Sequence, residues 1–240
     1  MHRSGTSLVA RLFLEAGADL GNPDTFYRAD KWNSDGYFEQ TDIHAINMPL
    51  INGPWWKFAY YRLPSTKTIL RRANRREEQI RETAQAYRGK VVKETRFCLT
   101  LPAWQRYGAE VDRILICLRD PAQVARSIKK RNHTLLRHGY YLWHLHNARI
   151  LDCAGSTTPI WLIYYNNLLE PEKFQREINA AFQFMDVPVN AEAIDKMLED
   201  LVSTSMNHNA GFEDSYPANV QELWNKLKQK HAKQFDDQYV

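Results

Sequence analysis

The sequence predicts an α/β fold in which helices cover both faces of a parallel sheet. Two observations support this fold class. The short run 160–165 is apolar throughout and 113–118 is apolar after Arg113, and such runs alternate with longer segments whose apolar residues recur at helical spacing. Strands of this kind are typical of parallel sheets that are buried on both faces. The chain has 240 residues and no internal repeat, so we expect a single domain over 1–240.

The first third of the chain combines a clear helix with a long irregular region. We predict a helix over 4–17, because its apolar residues share one face and Gly17 ends it. Residues 21–64 are rich in Pro, Gly, Asn and aromatic residues, with a short helix near 42–50, which is typical of a lid or a binding wall. A basic helix follows over 66–88, and we interpret its charges as a solvated face.

Strands and helices alternate from residue 90 onward. The segments between the apolar strands have the periodicity and the length of helices. We therefore predict strands over 90–94, 113–118 and 160–165, and helices over 102–107, 121–131, 139–154, 171–185, 191–201 and 217–233.

Composition and charge argue against several classes of function. The 32 basic and 28 acidic residues give a net charge of +4, which suits an anionic ligand but is too small for a protein that coats nucleic acid. Cys98, Cys117 and Cys153 are widely separated and lack metal-ligand spacing, which is typical of reduced cytoplasmic thiols. No segment reaches the roughly 18 to 20 apolar residues of a membrane span, and no signal pattern opens the chain. We therefore expect a cytoplasmic protein with no membrane span in this chain and no nucleic-acid partner.

The first motif is a phosphate-binding loop that opens directly into the first helix. Gly5 lets the backbone turn, Thr6 and Ser7 add hydroxyl donors, and Arg3 adds a positive charge beside the unpaired N–H groups of the helix start. The same residues also suit a simple helix N-cap. Phosphate loops normally follow a buried strand, and since Met1 leaves no room for one, we expect the first strand of the sheet to be truncated.

The second motif lies at the end of the strand predicted over 113–118. Arg119 follows this strand, Pro121 opens the next helix, and Ser127 lies eight residues after the arginine. Open α/β sheets bind ligands at the carboxyl ends of their strands, so Arg119 and Ser127 are candidates to hold a second anionic group. The alternative is an ion pair at a helix start with a surface serine.

Together the two motifs resemble the nucleotide-binding motifs of the sulfotransferase family, which uses 3′-phosphoadenosine 5′-phosphosulfate (PAPS) as the sulfonate donor. The resemblance covers about residues 1–185, and the Gly-Tyr-Phe-Glu segment 36–39 is most similar to the bacterial branch. It implies a P-loop-like three-layer α/β/α fold. It also implies that the 5′-phosphosulfate is held by Arg3, Ser4, Gly5, Thr6 and Ser7, and the 3′-phosphate by Arg119 and Ser127.

Two further segments are similar to the family, and each also departs from it. Residues 91–96 place Lys93 where the family's strand ends in a lysine, but Glu94 and Thr95 stand where the bacterial branch often has Asp-Pro. Residues 163–169 resemble the family's Tyr-Glu-Asp-Leu stretch, with asparagines in place of the acidic pair. We expect Tyr165 in the nucleotide pocket, with packing against the next helix as the alternative. No counterpart of the C-terminal Gly-rich segment of the animal cytosolic enzymes is present.

Sulfuryl transfer requires positioning and charge neutralisation more than a protein nucleophile. The resemblance assigns the neutralising charges to Arg3 and Lys93. A base must also take the acceptor's proton, and we predict Glu39, which is similar in placement to the glutamate base of the Golgi-type glycan and tyrosine sulfotransferases. The alternative role for Glu39 is a solvated lid carboxylate paired with Arg or Lys. Glu94 and His44 are the other candidate bases.

The remaining candidate residues are less specific. Arg96 suits either a sulfonate contact or an ordinary ion pair. The histidines lack metal-ligand spacing, so we expect no metal site. A stacking wall for a sugar ring, or simple packing of the lid, is expected from Trp55, Trp56, Tyr60 and Tyr61.

These motifs predict an enzyme that transfers a sulfonate group from PAPS to a hydroxyl or amine acceptor, and the aromatic content slightly favours a carbohydrate. One alternative is a non-catalytic nucleotide- or glycan-binding module of the same fold. A P-loop kinase-like phosphotransferase is disfavoured, because the loop lacks the Gly-Lys-Ser/Thr ending that such enzymes use.

Overall fold

The computed structural model describes residues 1–33, 36–53, 62–154, 158–188, 191–204 and 215–236. Over these ranges the fold is α/β, mostly helical, with a small parallel sheet of two strands. The helices are α1 (Thr6–Glu15), α2 (Thr41–Asn52), α3 (Thr66–Ala73), α4 (Glu77–Ala86), α5 (Phe97–Arg106), α6 (Pro121–Asn132), α7 (Leu136–Ala154), α8 (Pro171–Phe184), α9 (Ala191–Thr204) and α10 (Ala218–Asp236), and the strands are β1 (Ile114–Leu118) and β2 (Ile160–Tyr164).

The two strands run parallel and are joined by a helical crossover through α6 and α7. Their register places Ile116 opposite Leu162. The N–H of Tyr165 donates to the carbonyl of Leu118 at 2.9 Å, which extends the pairing to the carboxyl ends of both strands. The α/β class and the parallel pairing predicted from the sequence are therefore confirmed.

Side chains on both faces of the sheet are buried in hydrophobic clusters. Cys117 and Ile163 face a cluster that includes residues of α1, α8 and α9. Ile116 and Leu162 face a second cluster that includes residues of α5, α6, α7 and α10. A third cluster joins α2, α3, α4 and α5 beside the sheet. No helix within the described ranges is both long and apolar enough to cross a bilayer.

Two predicted elements differ from the structure. Residues 90–94, predicted as a strand, belong to no sheet, and the N–H of Val91 instead donates to the carbonyl of Asp19 at 2.9 Å. A strand needs a neighbouring edge as well as apolar residues, and no described strand lies beside this segment. The single helix predicted over 66–88 is divided into α3 and α4 by a 3-10 turn at Asn74–Arg76, because Arg76 leaves the helical conformation at φ −133° and ψ 19°.

Candidate functional site

A cavity of about 520 Å³ opens at the carboxyl ends of β1 and β2. It brings together segments that are far apart in the sequence. Among the described residues its lining includes six arginine or lysine side chains and a single carboxylate, so it favours an anionic ligand. The predicted site residues that line it are Arg3, Gly5, Thr6, Ser7, Glu39, Lys93, Arg119 and Tyr165.

The loop before α1 presents backbone donors to the cavity. Gly5 takes the N-cap position in the left-handed conformation, at φ 85° and ψ 8°, and no side chain caps the helix. Among the described residues nothing accepts a hydrogen bond from the N–H groups of Thr6, Ser7 or Leu8. The simple N-cap interpretation of this segment therefore has no support, and three aligned donors remain for an anion.

Two arginines connect this loop to the end of β1. Nε of Arg3 donates to Oγ of Ser127 at 2.8 Å. Arg119 in turn donates from Nη1 to the carbonyl of Arg3 at 3.1 Å, and its guanidinium lies 4.3 Å from the centre of the Tyr165 ring. Burial lowers the pKa of both arginines, and repulsion from Arg131 and from Arg119 lowers the pKa of Arg3 further. The two anion subsites predicted from the sequence thus adjoin one another.

Local hydrogen bonds fix the position of Arg119. Its carbonyl accepts from Nε1 of Trp143 at 3.0 Å, and its own Nε donates to Oε1 of Gln123 at 3.0 Å. Asp120, the next residue, caps α6 by accepting from the N–H groups of Ala122 and Gln123. The strand end, the cap and the buried indole together hold the guanidinium at the rim of the cavity.

Glu39 lies on the opposite side of the loop and is 5% exposed. Its Oε1 accepts from Nζ of Lys93 at 2.5 Å, and its Oε2 accepts from Nη1 of Arg96 at 3.1 Å. Burial alone would raise the pKa of Glu39, but the charges of Lys93 and Arg96 outweigh burial and leave that pKa below its ordinary value. Nζ of Lys93 also lies 3.5 Å from Oγ of Ser7. Lys93 therefore lies between the carboxylate and the loop.

Glu94 and His44, the other candidate bases, adjoin Glu39. Arg96 Nη1 bridges the two carboxylates, at 2.8 Å from Oε1 of Glu94, and burial raises the pKa of Glu94. Nδ1 of His44 lies 4.0 Å from Oε2 of Glu39, and burial lowers the pKa of His44. Ligand atoms of these three residues lie within 4.8 Å of one another. Lys93 and Arg96 already compensate both carboxylates, so the arrangement does not favour a divalent cation.

Some predicted residues lie elsewhere. Ser4 is buried, at 1% exposure, and does not line the cavity. Ser127 contributes through its hydrogen bond to Arg3 and does not itself line the cavity. The candidates for a stacking wall, Trp55, Trp56, Tyr60 and Tyr61, lie outside the described residues.

The structure also adds residues that the sequence analysis missed. Nδ2 of Asn33 donates to Oγ of Ser7 at 3.1 Å, and nothing in the local sequence signals this contact. Arg131 lines the cavity and lies four residues after Ser127 on α6. The i, i+4 spacing of Ser127 and Arg131 places both on one helix face, so this pattern was available in the sequence.

Comparison of the chain with protein-family models, with curated proteins and with solved structures gave no match. A functional assignment therefore depends on the residues of the cavity and on their geometry.

Proposed function

We propose that this chain binds PAPS and transfers its sulfonate group to a hydroxyl or amine acceptor. The observation that carries the proposal is the convergence, in one cationic cavity, of the α1 loop, Lys93, Glu39 and the Arg119–Tyr165 pair. We also infer that the two described strands belong to a P-loop-like three-layer sheet, because a loop before a helix and a strand-end arginine meet at the carboxyl edge.

The two ends of the donor match the two cationic groups. The free N–H groups of Thr6 and Ser7, with Arg3, suit the 5′-phosphosulfate. Arg119 suits the 3′-phosphate, and its stacking on Tyr165 supplies a flat surface beside the nucleoside. Nη1 of Arg119 donates to the carbonyl of Arg3, so the two residues adjoin each other. A single ligand with an anionic group at each end therefore suits the pair.

The proposed reaction is an in-line displacement at sulfur. The acceptor oxygen or nitrogen forms a bond to sulfur, the bond from sulfur to the phosphate oxygen breaks, and 3′,5′-adenosine bisphosphate leaves. Lys93 neutralises the leaving phosphate, and Glu39 takes the acceptor's proton. Glu39 becomes a stronger base when Lys93 turns from it toward the phosphate, a movement that the 3.5 Å separation from Ser7 makes short.

A second candidate function is nucleotide binding without turnover. The observation that favours it is the ion pairing of Glu39, because a carboxylate held by two cations with a lowered pKa is a weak base. The two functions share the donor site and differ in whether Glu39 acts chemically.

Donor recognition is tested by calorimetric titration with 3′,5′-adenosine bisphosphate, using 5′-AMP as the matched ligand at fixed salt. We expect the bisphosphate to bind more tightly. Arg119→Gln removes the cation proposed for the 3′-phosphate and is expected to abolish the preference. Arg113→Gln, at the exposed opposite end of β1, is the control and keeps it. Equal binding of both nucleotides to the folded wild-type chain contradicts the proposal.

Catalysis is tested by following bisphosphate release from PAPS in the presence of sugars, alcohols, amines and phenols. A positioned general base typically contributes about 10²- to 10⁴-fold in rate, and we expect Glu39→Gln to lose turnover in that range while it still binds the bisphosphate. Bisphosphate binding without turnover on any acceptor supports the binding module instead. Unchanged turnover in Glu39→Gln rejects Glu39 as the base.

A further inference from the structure

The connection between α6 and α7 exposes two leucines in succession. Leu135 is 61% exposed and Leu136 is 36% exposed. Neither belongs to the hydrophobic clusters that the described residues form. Tyr141 on α7 is also exposed, and it lies one helical turn after Arg137, on the same side of the helix. Single apolar residues are common on protein surfaces, but an adjacent set of this kind is typical of an interaction site.

Helix formation does not explain the more exposed leucine. Leu135 directly precedes α7, and its carbonyl accepts from the N–H of His138 at 3.0 Å, so it takes the N-cap position. That position favours Ser, Thr, Asp or Asn, whose side chains accept from the first N–H groups of the helix. A leucine side chain has no acceptor to offer. A contact outside the chain would account for its presence here.

Basic residues surround the two leucines. Residues 121–151 contain six Lys or Arg residues and no Asp or Glu. Lys129 and Lys130 are exposed at the end of α6, where cations complement the helix dipole. Arg137 is exposed in the first turn of α7, where the dipole disfavours a cation. Within the described ranges no carboxylate pairs with these three side chains. Their charges are therefore available to an anionic partner.

This exposed connection adjoins the candidate site. Arg131 and Asn132, the last residues of α6, line the cavity and directly follow the two exposed lysines in the sequence. Leu142, in the next helix, lines it as well. A partner that contacts the leucines therefore lies close to one wall of the cavity.

We propose that this surface docks the protein on a membrane that contains anionic lipid. The docking surface consists of Lys129, Lys130, Leu135, Leu136, Arg137 and Tyr141. An anionic membrane has negative headgroups above an apolar interior, which matches cations placed around a pair of exposed leucines. The leucines enter the boundary between headgroups and acyl chains, and the tyrosine lies at the level of the headgroups. A nucleic acid matches the cations but offers nothing to the leucines.

The test is flotation of the full 240-residue chain with phosphatidylcholine vesicles that contain roughly 30% phosphatidylserine, and with pure phosphatidylcholine vesicles. We expect binding to the anionic vesicles to be at least about tenfold tighter and to weaken with added salt. Leu135→Ser combined with Leu136→Ser is expected to lower the affinity at least about tenfold, because it removes the apolar insertion. Combining Lys129→Gln, Lys130→Gln and Arg137→Gln is expected to lower it by a similar factor, because three attractions are lost.

Matched controls remove the same kinds of group elsewhere on the surface. Leu169→Ser replaces another exposed leucine. Lys67→Gln, Arg71→Gln and Arg75→Gln together remove three exposed positive charges in and after α3. We expect both controls to bind the anionic vesicles as the wild type does. Equal losses in the two charge variants overturn the proposal, because binding would then follow net charge alone.

A second measurement uses the unaltered chain. The N–H groups in the first turn of α7 have no acceptor within the helix, so their amide hydrogens exchange readily. We expect anionic vesicles to slow exchange across residues 135–138, and unchanged exchange contradicts insertion of the leucines. Wild-type binding that is no tighter to anionic than to neutral vesicles overturns the proposal. Binding to polyglutamate but not to vesicles assigns the surface to an acidic protein instead. None of these measurements uses PAPS, so their outcome is independent of the proposed function.

Discussion

Two carboxylates that share one guanidinium determine the charge state of the candidate site. Arg96 lies 3.1 Å from Glu39 and 2.8 Å from Glu94. The neighbouring cations lower the pKa of Glu39 despite its burial, whereas burial raises the pKa of Glu94. Opposite shifts of this kind mean that the two carboxyl groups take up protons over different pH ranges. As the pH falls, Glu94 is thus the first of the two to be protonated and Glu39 the second.

We predict that Glu39→Gln destabilises the protein at pH 7 by roughly 3 kcal/mol, because it leaves the buried ammonium of Lys93 without its carboxylate and removes one of the two carboxylates that pair with Arg96. The lowered pKa of Glu39 means that its contribution is present above the unfolded value of 4.5 and is lost as the pH falls through the folded value. Urea unfolding at pH 7 and pH 3 measures both effects. A variant as stable as the wild type at pH 7 refutes the assignment.

The opposite dependence is predicted for Glu94→Gln. The raised pKa of Glu94 means that its stabilising contribution is full below the unfolded value of 4.5 and is lost as the pH rises through the folded value. The amide keeps an acceptor for Arg96 and carries no buried charge. We therefore expect Glu94→Gln to match or exceed the wild type in urea midpoint at pH 7, and to converge with it near pH 3. A large loss of stability at pH 7 contradicts this prediction.

Acid sensitivity is also expected from His146 on α7. Burial lowers the pKa of His146 from 6.5 to about 3, and its Nδ1 lies 2.7 Å from the carbonyl of Leu142. Because the folded state resists protonation, stability falls as the pH drops below 6.5, by as much as roughly 5 kcal/mol at pH 3. His146→Gln is expected to flatten the pH dependence of the urea midpoint between pH 6.5 and 3. An unchanged slope excludes this residue as the cause.

The sequence indicated which residues line the cavity better than it indicated their partners. Glu39, Lys93 and Arg119 were candidates because each follows a recognisable local pattern, and all three line one cavity. The bridge from Arg96 to both carboxylates depends on how residues 36–39 approach the segment 93–96 in space. Local patterns carry no information about such an approach, so the pKa separation was not predictable from the sequence.

The loop before α1 and the turn after β2 constrain each other's conformation. Gly5 has φ 85°, and a Cβ built on it would lie 2.0 Å from Cδ2 of Tyr165. The guanidinium of Arg119 stacks on the same ring, 4.3 Å from its centre. Close packing between a glycine and an aromatic ring thus sets the distance between the loop before α1 and the guanidinium of Arg119.

We predict that Gly5→Ala weakens 3′,5′-adenosine bisphosphate binding at least tenfold and destabilises the protein by more than Gly17→Ala. Gly17 has φ 89° but open space around it, so its substitution costs only the backbone strain of about 1–2 kcal/mol. Combining Gly5→Ala with Tyr165→Ala removes the clash, so the stability losses are expected not to add. Calorimetry and urea unfolding measure the two effects. Equal stability losses in the two glycine variants would show that the Tyr165 ring moves away from the added methyl group at no cost in free energy.

Helices and strands could be predicted where the local sequence alone determines the conformation of the element. α6 begins at Pro121 and β2 begins at Ile160, as the sequence predicts, because a cap or an apolar run is sufficient there. Residues 90–94 have the composition of a strand but depend on a neighbouring edge. The helix over 66–88 was predicted from charge and periodicity, which do not show the break at Arg76.

At the scale of the whole molecule, the two outer edges of the described sheet differ in whether their backbone groups have hydrogen-bond partners. On β2, the side chain of Gln234 pairs with both backbone groups of Leu162, at 3.0 Å to the N–H and 2.6 Å to the carbonyl. The carboxylate of Glu177 accepts from the N–H of Tyr164 at 2.8 Å. Side chains from α8 and α10 therefore end the sheet here, whereas no described residue bonds to the backbone groups of Leu115 and Cys117 at the outer edge of β1.

This edge closure connects α10, near the end of the chain, to the central sheet, so its loss is expected to affect global stability. We predict that Gln234→Leu destabilises the protein by about 2–4 kcal/mol, because it leaves the N–H and the carbonyl of Leu162 buried without partners. Gln229→Leu, on the exposed side of the same helix, is the control for propensity and hydrophobicity. Urea unfolding followed by tryptophan fluorescence measures both variants. Equal midpoints would mean that water replaces the glutamine, and that the pairing of Gln234 with Leu162 does not contribute to global stability.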